Sequence, residues 1–327
     1  MIVHYRACLK LNWQIRTGLL LFAITCPMKN SRRSFLKSTL VGSAGLTLAP
    51  SLFSEDKTSK PDNLGPAVTK GRIKQSVMGW CFKPIPALEL AKFCKQLGMP
   101  AIEGISPEVY PKIMNLGLKI AIVGSHGFGN GPFNAANHQN CHDKLINSID
   151  LAAKIGSPNV ITFTGMAEKG IAPEQGSKNC VKTWKSVMKH AEKKGVNLCL
   201  EHLNSRDDSH PMKGHPGYYG DDIDLCVDLI KRVDSPNMKL LFDIYHVQVM
   251  HGDIIRRLRA NKDVIGHYHT AGNPGRCEID ENQEINYPPI LKAILETGYD
   301  GYVAQEFIPT WHDKYKALRH AVTLCDV

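Results

Sequence analysis

The chain has 327 residues, 43% of them hydrophobic and 22% charged, a balance that fits a soluble globular protein and no low-complexity class. The net charge of +9 is unevenly placed: residues 1–56 hold seven Lys/Arg against two Asp/Glu, and the remainder holds 33 against 29. That remainder forms no basic stripe, so charge does not point to nucleic acid as a partner.

Residues 1–56 are expected to be an N-terminal extension and a targeting signal. Ser31-Arg-Arg-Ser-Phe-Leu-Lys37 follows the twin-arginine pattern, and residues 38–49 form a weakly apolar run too short to span a bilayer. The reading implies export by the twin-arginine machinery to the periplasm. Residues 57–70, rich in Lys, Asp, Pro and Gly, read as a disordered linker. The chain has ten cysteines, eight of them after the signal, and none of those eight forms a C-x-x-C pair. Most sit inside apolar or amphipathic runs, which predicts free, buried thiols.

From residue 71 to 327, short apolar runs alternate with longer amphipathic ones. The pattern predicts strands over 73–79, 101–105, 119–124, 159–163, 197–201, 239–243, 264–268 and 301–305. Helices are predicted over 85–96, 107–116, 138–155, 173–194, 222–232, 252–260, 288–296 and 314–324. Gly98, Gly117, Gly156, Gly195 and Gly298 each follow a helical run, where a left-handed residue closes the last turn. Eight strand–helix pairs in about 255 residues predict a single catalytic domain of the (β/α)8 TIM-barrel class. A doubly wound sheet would need a G-x-G-x-x-G loop after its first strand. The first strand leads instead into Trp80-Cys-Phe-Lys-Pro-Ile-Pro86, and the glycine cluster 124–131 follows the third strand.

The last four predicted strands end on Glu201, Asp243, His269 and Glu306, at intervals of 42, 26 and 37 residues. A buried strand has no use for a charge at its end unless a ligand there requires one. In a TIM barrel these ends share one rim, so the four converge. Three carboxylates and an imidazole suit a divalent cation of intermediate hardness: Mn2+, Mg2+ or Co2+, with Zn2+ also compatible. On nearby loops, His246, Asn204, Asp207 and Arg276 are placed to contact a hydroxylated or carboxylated substrate, His246 alternatively to hold a metal ligand. Glu103 and His126 end earlier strands and face the same end of the barrel. A cation flanked by Glu201 and Glu306 would suit proton transfer next to a carbonyl through an enediolate.

These motifs resemble the hydroxypyruvate isomerase branch of the xylose isomerase-like barrels. The resemblance rests on Glu201-x-Leu-Asn204, Leu-Phe-Asp243-Ile-Tyr-His246-x-Gln248, Gly266-His-x-His269-x-Ala-Gly-x-Pro-Gly-Arg276, Asn-Tyr287 and Gln-Glu306. It implies metal ligation by Glu201, Asp243, His269 and Glu306. It implies Glu201 and Glu306 as the acid–base pair, and substrate contacts from His246, Arg276 and Asp207. It further implies a homo-oligomer and a small hydroxy-carbonyl substrate such as hydroxypyruvate. Two positions depart from the branch: His269 stands where its isomerases carry Gln, as the related ketose epimerases do, and Asp207 stands where Glu is usual. A ketose or inosose epimerase, a keto-sugar dehydratase and a non-catalytic sugar-binding barrel are therefore the competing expectations.

Overall fold

The computed structural model describes residues 65–327. The twin-arginine motif, residues 1–56 and linker residues 57–64 lie outside the described residues. Residues 65–70, the end of the expected linker, are tied to the folded body: the amides of Ala67 and Val68 donate to Leu97 O at 3.0 and 2.9 Å. The Asp326 carboxylate accepts from the amides of Thr69, Lys70 and Gly71. Among the described residues no helix is long and apolar enough to cross a membrane.

Eight parallel strands run in chain order: β1 Lys74–Val77, β2 Ala101–Ile102, β3 Lys119–Ile120, β4 Asn159–Thr162, β5 Asn197–Glu201, β6 Met238–Asp243, β7 Ile265–Thr270 and β8 Tyr302–Gln305. Six pair continuously in the order β1-β8-β7-β6-β5-β4, and β2 pairs with β3. Parallel bridges Met78–Glu103 and Val123–Val160 join the two sheets at both seams, which closes the ring. The result is an α/β barrel of the expected class. β2 and β3 are shorter than predicted because only two residues of each share a ladder; the chain then leaves the sheet for the rim.

The helices are α1 Ala87–Leu97, α2 Tyr110–Asn115, α3 His138–Ile155, α4 Pro173–Lys194, α5 Ile223–Val233, α6 Ile244–Met250, α7 Ile254–Ala260, α8 Tyr287–Glu296 and α9 Lys314–Cys325. Pro107–Val109, predicted as α-helix, is a 3-10 turn leading into α2. Gly98, Gly156 and Gly195 cap α1, α3 and α4 in the left-handed conformation, as their positions predicted. α6 was not predicted. Its start is made by Asp243, whose Oδ1 accepts from the amides of Tyr245 and His246 at 2.8 and 3.2 Å.

Apolar strand faces pack outward against the helices in one large core. Trp184 of α4 is fully buried there and donates its indole N–H to Thr162 Oγ1 at 3.0 Å. Truncating such a side chain typically costs about 3–5 kcal/mol. Inside the ring a small apolar cluster of Ile122, Ile161, Cys199 and Leu241 fills the β3–β6 side. All eight cysteines among the described residues are free and seven are buried, as expected for Cys used as a small apolar residue.

Candidate active site

Residues two apart share one face of a strand. Cys199 and Leu241 lie in the interior cluster, so Glu201 and Asp243 project from the same faces at the C-terminal rim. The register aligns Asp243 with His269. Ligand atoms of Glu201, Asp243, His269 and Glu306 lie within 4.8 Å of one another, and all four residues are buried. His269 Nδ1 stands 3.2 Å from Glu201 Oε1 and 2.5 Å from Glu306 Oε2. Its other nitrogen, Nε2, is 2.9 Å from Glu103 Oε1.

Arg276 is the cationic partner of the cluster. It is 2% exposed, reaches Asp243 Oδ2 at 3.3 Å and Glu306 Oε2 at 2.6 Å, and donates to Met212 O. Its guanidinium carbon lies 5.6 Å from the Trp80 ring centroid and 5.8 Å from that of Tyr245, two contacts that favour a delocalised cation. The loop carrying it is closed by a bridge between Gly272 and Cys277. Tyr287 OH, which accepts from the Ala271 amide and donates to Ala271 O, braces the same loop.

Burial dominates the electrostatics. It pushes Asp243 up to about 7 against the pull of Arg276, and it raises Glu201 with help from the charge of Glu306. Burial also opposes ionisation of Glu306, but Arg276 and then His269 hold its carboxyl down to about 2. Two neighbouring glutamates are thus driven in opposite directions. Glu306 Oε2 approaches two cations, yet neither contact is aligned as a hydrogen bond and the buried oxygen has no hydrogen-bond partner. Three buried carboxylates facing one another, with an unsatisfied oxygen among them, are a donor set that fits a divalent cation.

Glu201, Glu306 and Arg276 open onto a cavity of about 180 Å3. The remaining wall is largely apolar and includes Met78, Trp80, Ile122, Phe128 and Phe163. His215 completes the polar side. The sequence reading did not single it out, and only its place in the loop between β5 and α5 hints at it. Its ring packs on Phe128 at 4.1 Å, and burial, then the charge of Arg276, lowers its pKa to about 4, so it is a neutral imidazole.

The other expected residues occupy different places. Asn204 is buried and committed: its amide contacts His246 Nδ1 at 2.7 Å and donates to Lys213 O at 2.8 Å. With Nδ1 accepting from Asn204, His246 turns Nε2 toward Asp243 Oδ2 at 3.5 Å, behind the cluster and off the cavity wall. Asp207 faces Ser209 and accepts from Tyr245 OH at 3.2 Å, also off the wall. His126 contacts Thr162 Oγ1 at 2.8 Å. The glycine run after β3 serves packing: a Cβ on Gly131 would lie 2.3 Å from Gly165 N, so two rim loops cross there backbone to backbone.

Comparison with known proteins agrees with this architecture. Residues 87–322 match the xylose isomerase-like TIM-barrel family. A putative hydroxypyruvate isomerase of Drosophila melanogaster is 37% identical over 94 residues, 29% of this chain and 36% of that protein. The 2-oxo-tetronate isomerase of Cupriavidus necator is 30% identical over 166 residues, 50% of this chain and 59% of that protein. The matches to these two relatives therefore span about a third and three fifths of their lengths. The crystal structure of an AP endonuclease, family 2, from Brucella melitensis superposes with a TM-score of 0.66 at 22% identity, covering 76% of this chain and 96% of that one; at that identity the likeness is one of fold. The closed eight-stranded ring, the strand-end cluster on its rim and the match over 87–322 lead to one conclusion: the chain belongs to the xylose isomerase-like TIM-barrel family.

Proposed function

We infer that this protein is a metal-dependent isomerase of a small hydroxy-carbonyl acid, of the hydroxypyruvate or 2-oxo-tetronate type. The observation that carries the reading is the convergence of Glu201, Asp243, His269 and Glu306 within 4.8 Å, with two of the carboxylates on the cavity wall. The four would hold Mn2+, Mg2+ or Co2+, with Zn2+ also compatible. When bound, the cation supplies Lewis-acid polarisation of the substrate carbonyl and its neighbouring hydroxyl. Glu201 and Glu306 are the proton-transfer pair: one takes the proton next to the carbonyl, and the other returns a proton to the adjoining atom of the enediolate. Arg276, with an unpartnered Nε, offers a donor to a substrate carboxylate, and His215 faces the same space. The small, mostly apolar cavity suits a substrate of a few carbons. His246 and Asn204 act behind Asp243, and Asp207 steadies Tyr245 beside Arg276. The periplasm is the proposed location, on the support of the twin-arginine pattern Ser31-Arg-Arg-Ser-Phe-Leu-Lys37.

His269 favours a second reading, a ketose or inosose epimerase, in which the proton returns to the same carbon from the opposite face. One experiment separates the readings. Purified protein is analysed for bound metal and incubated in D2O with hydroxypyruvate, 2-oxo-tetronate and a panel of ketoses, with and without chelator. Isomerisation shows as deuterium in a constitutional isomer of unchanged heavy-atom formula. Epimerisation shows as deuterium at an inverted centre, and dehydration as the loss of one water. Chelator-insensitive exchange, or no exchange with any compound, removes the reading.

A further inference from the structure

We propose that Glu103, anchored by His267 and Ser76, is a positioning residue that sets the His269 ring so that Nδ1 faces the cation site. Glu103 follows β2, is fully buried, and stands outside the four-residue cluster. Its Oε1 lies 2.9 Å from His269 Nε2 and 3.0 Å from His267 Nε2, and its Oε2 accepts from the Ser76 hydroxyl. An ionised carboxylate only accepts, so both rings must donate through Nε2. For His269 that commits Nε2 to Glu103 and turns Nδ1 toward the cluster, 3.2 Å from Glu201 and 2.5 Å from Glu306, where a bound cation would take the place of any proton on it.

His267 makes sense only through this contact. Its ring is completely buried, its Nδ1 has no partner, and its Nε2 bond to Glu103 is its one side-chain hydrogen bond. Burying an imidazole with one orphaned nitrogen is unfavourable unless the other does something specific. Three groups share the two oxygens of Glu103, which commits the carboxylate to its neighbours. It therefore orients a ligand without becoming one. β2 and β7 do not pair directly, so the contact reaches across the inside of the ring. A carboxylate on the far nitrogen of a metal-binding imidazole fixes its tautomer and raises its basicity, and losing it typically weakens metal binding by roughly 10- to 100-fold.

The proposal rests on the cation-dependent reading above, and the test separates the two. Wild-type protein, Glu103→Gln and His267→Gln are stripped with chelator and titrated with Mn2+ by calorimetry, with circular dichroism as a check on folding. The histidine 15N–1H spectra are recorded with Zn2+ as a diamagnetic probe. Wild type is expected to bind Mn2+ and to show His269 as a single Nε2–H tautomer. Glu103→Gln is expected to weaken Mn2+ binding by about 10- to 100-fold and to mix the tautomers. His267→Gln, which leaves Glu103 with one anchor fewer, is expected to weaken binding by a smaller factor, and it carries the test if Glu103→Gln fails to fold. Unchanged affinity and an unchanged tautomer in folded variants overturn the positioning role. Absence of Mn2+ binding by wild type overturns the cation reading itself.

Discussion

The two halves of the barrel rim do different work. Strands β5 to β8 end on Glu201, Asp243, His269 and, just past β8, Glu306, and the loop after β7 delivers Arg276. Strands β1 to β4 and their loops contribute Met78, Trp80, Ile122, Phe128 and Phe163 to the cavity wall, without a charge among them. Chemistry is concentrated on the side where β5, β6 and β7 run five to six residues. Shape comes from the side where β2 and β3 are two residues each. Long strands hold a ligand atom to a fraction of an ångström, which a cation site requires. Short strands release the chain early, and the freed loops fold over the pocket as apolar walls.

The sharpest way to break this division is Glu306→Gln. It keeps the shape of the late half and removes its most strongly ionised carboxylate. Loss of a general acid or base costs about 10²- to 10⁴-fold, and a fall in kcat of at least 10²-fold is expected with the fold intact by circular dichroism. Full turnover on the identified substrate would end the acid–base assignment. The early half is tested by Phe163→Ala, which opens the wall without touching the cluster. KM for a short substrate is expected to rise about tenfold, with kcat within threefold, and longer substrates should gain relative to short ones. An equal fall in kcat would mean that this wall also shapes the reacting geometry.

The smallest effect lies away from both halves. Against burial, the backbone amides of Lys70, Thr69 and Gly71 hold the Asp326 carboxyl below its usual range. The folded value is thus below the unfolded one. Its stabilisation is complete above the unfolded value of about 3.9 and is lost as pH falls through the folded one. Asp326→Asn is expected to cost about 1–2 kcal/mol at neutral pH. The gap from wild type in chemical denaturation should narrow below about pH 4. Catalysis should not change.

Much of this was legible in the sequence because strand-end polar residues violate an otherwise apolar pattern. Glu201, Asp243, His269 and Glu306 stood out for that reason and do converge. The barrel followed from strand–helix alternation and from glycines such as Gly156 and Gly195 at helix ends. α6 escaped because it starts at Ile244 directly after the last residue of β6, with no loop to mark the change, although Asp243 before Ile-Tyr-His is a recognisable cap. Asn204 and Asp207 were expected at the substrate and stand behind the wall, since a loop's polar residues show nothing of the direction they take once the loop folds. His215 and the Glu103–His267 contact depend on pairings far apart in the chain that no local pattern encodes, as Glu103 with His267 at a separation of 164 shows.

Asp243 has two oxygens with separate duties. Oδ1 holds the first amides of α6, and Oδ2 faces Arg276 at the strand-end cluster. Any change in charge felt by one oxygen is transmitted through the two bonds they share at Cγ to the other. The opening turn of α6 is thus a gauge wired into the centre of the site. The exchange rates of the Tyr245 and His246 amide protons read the state of the pocket from a helix that never enters it.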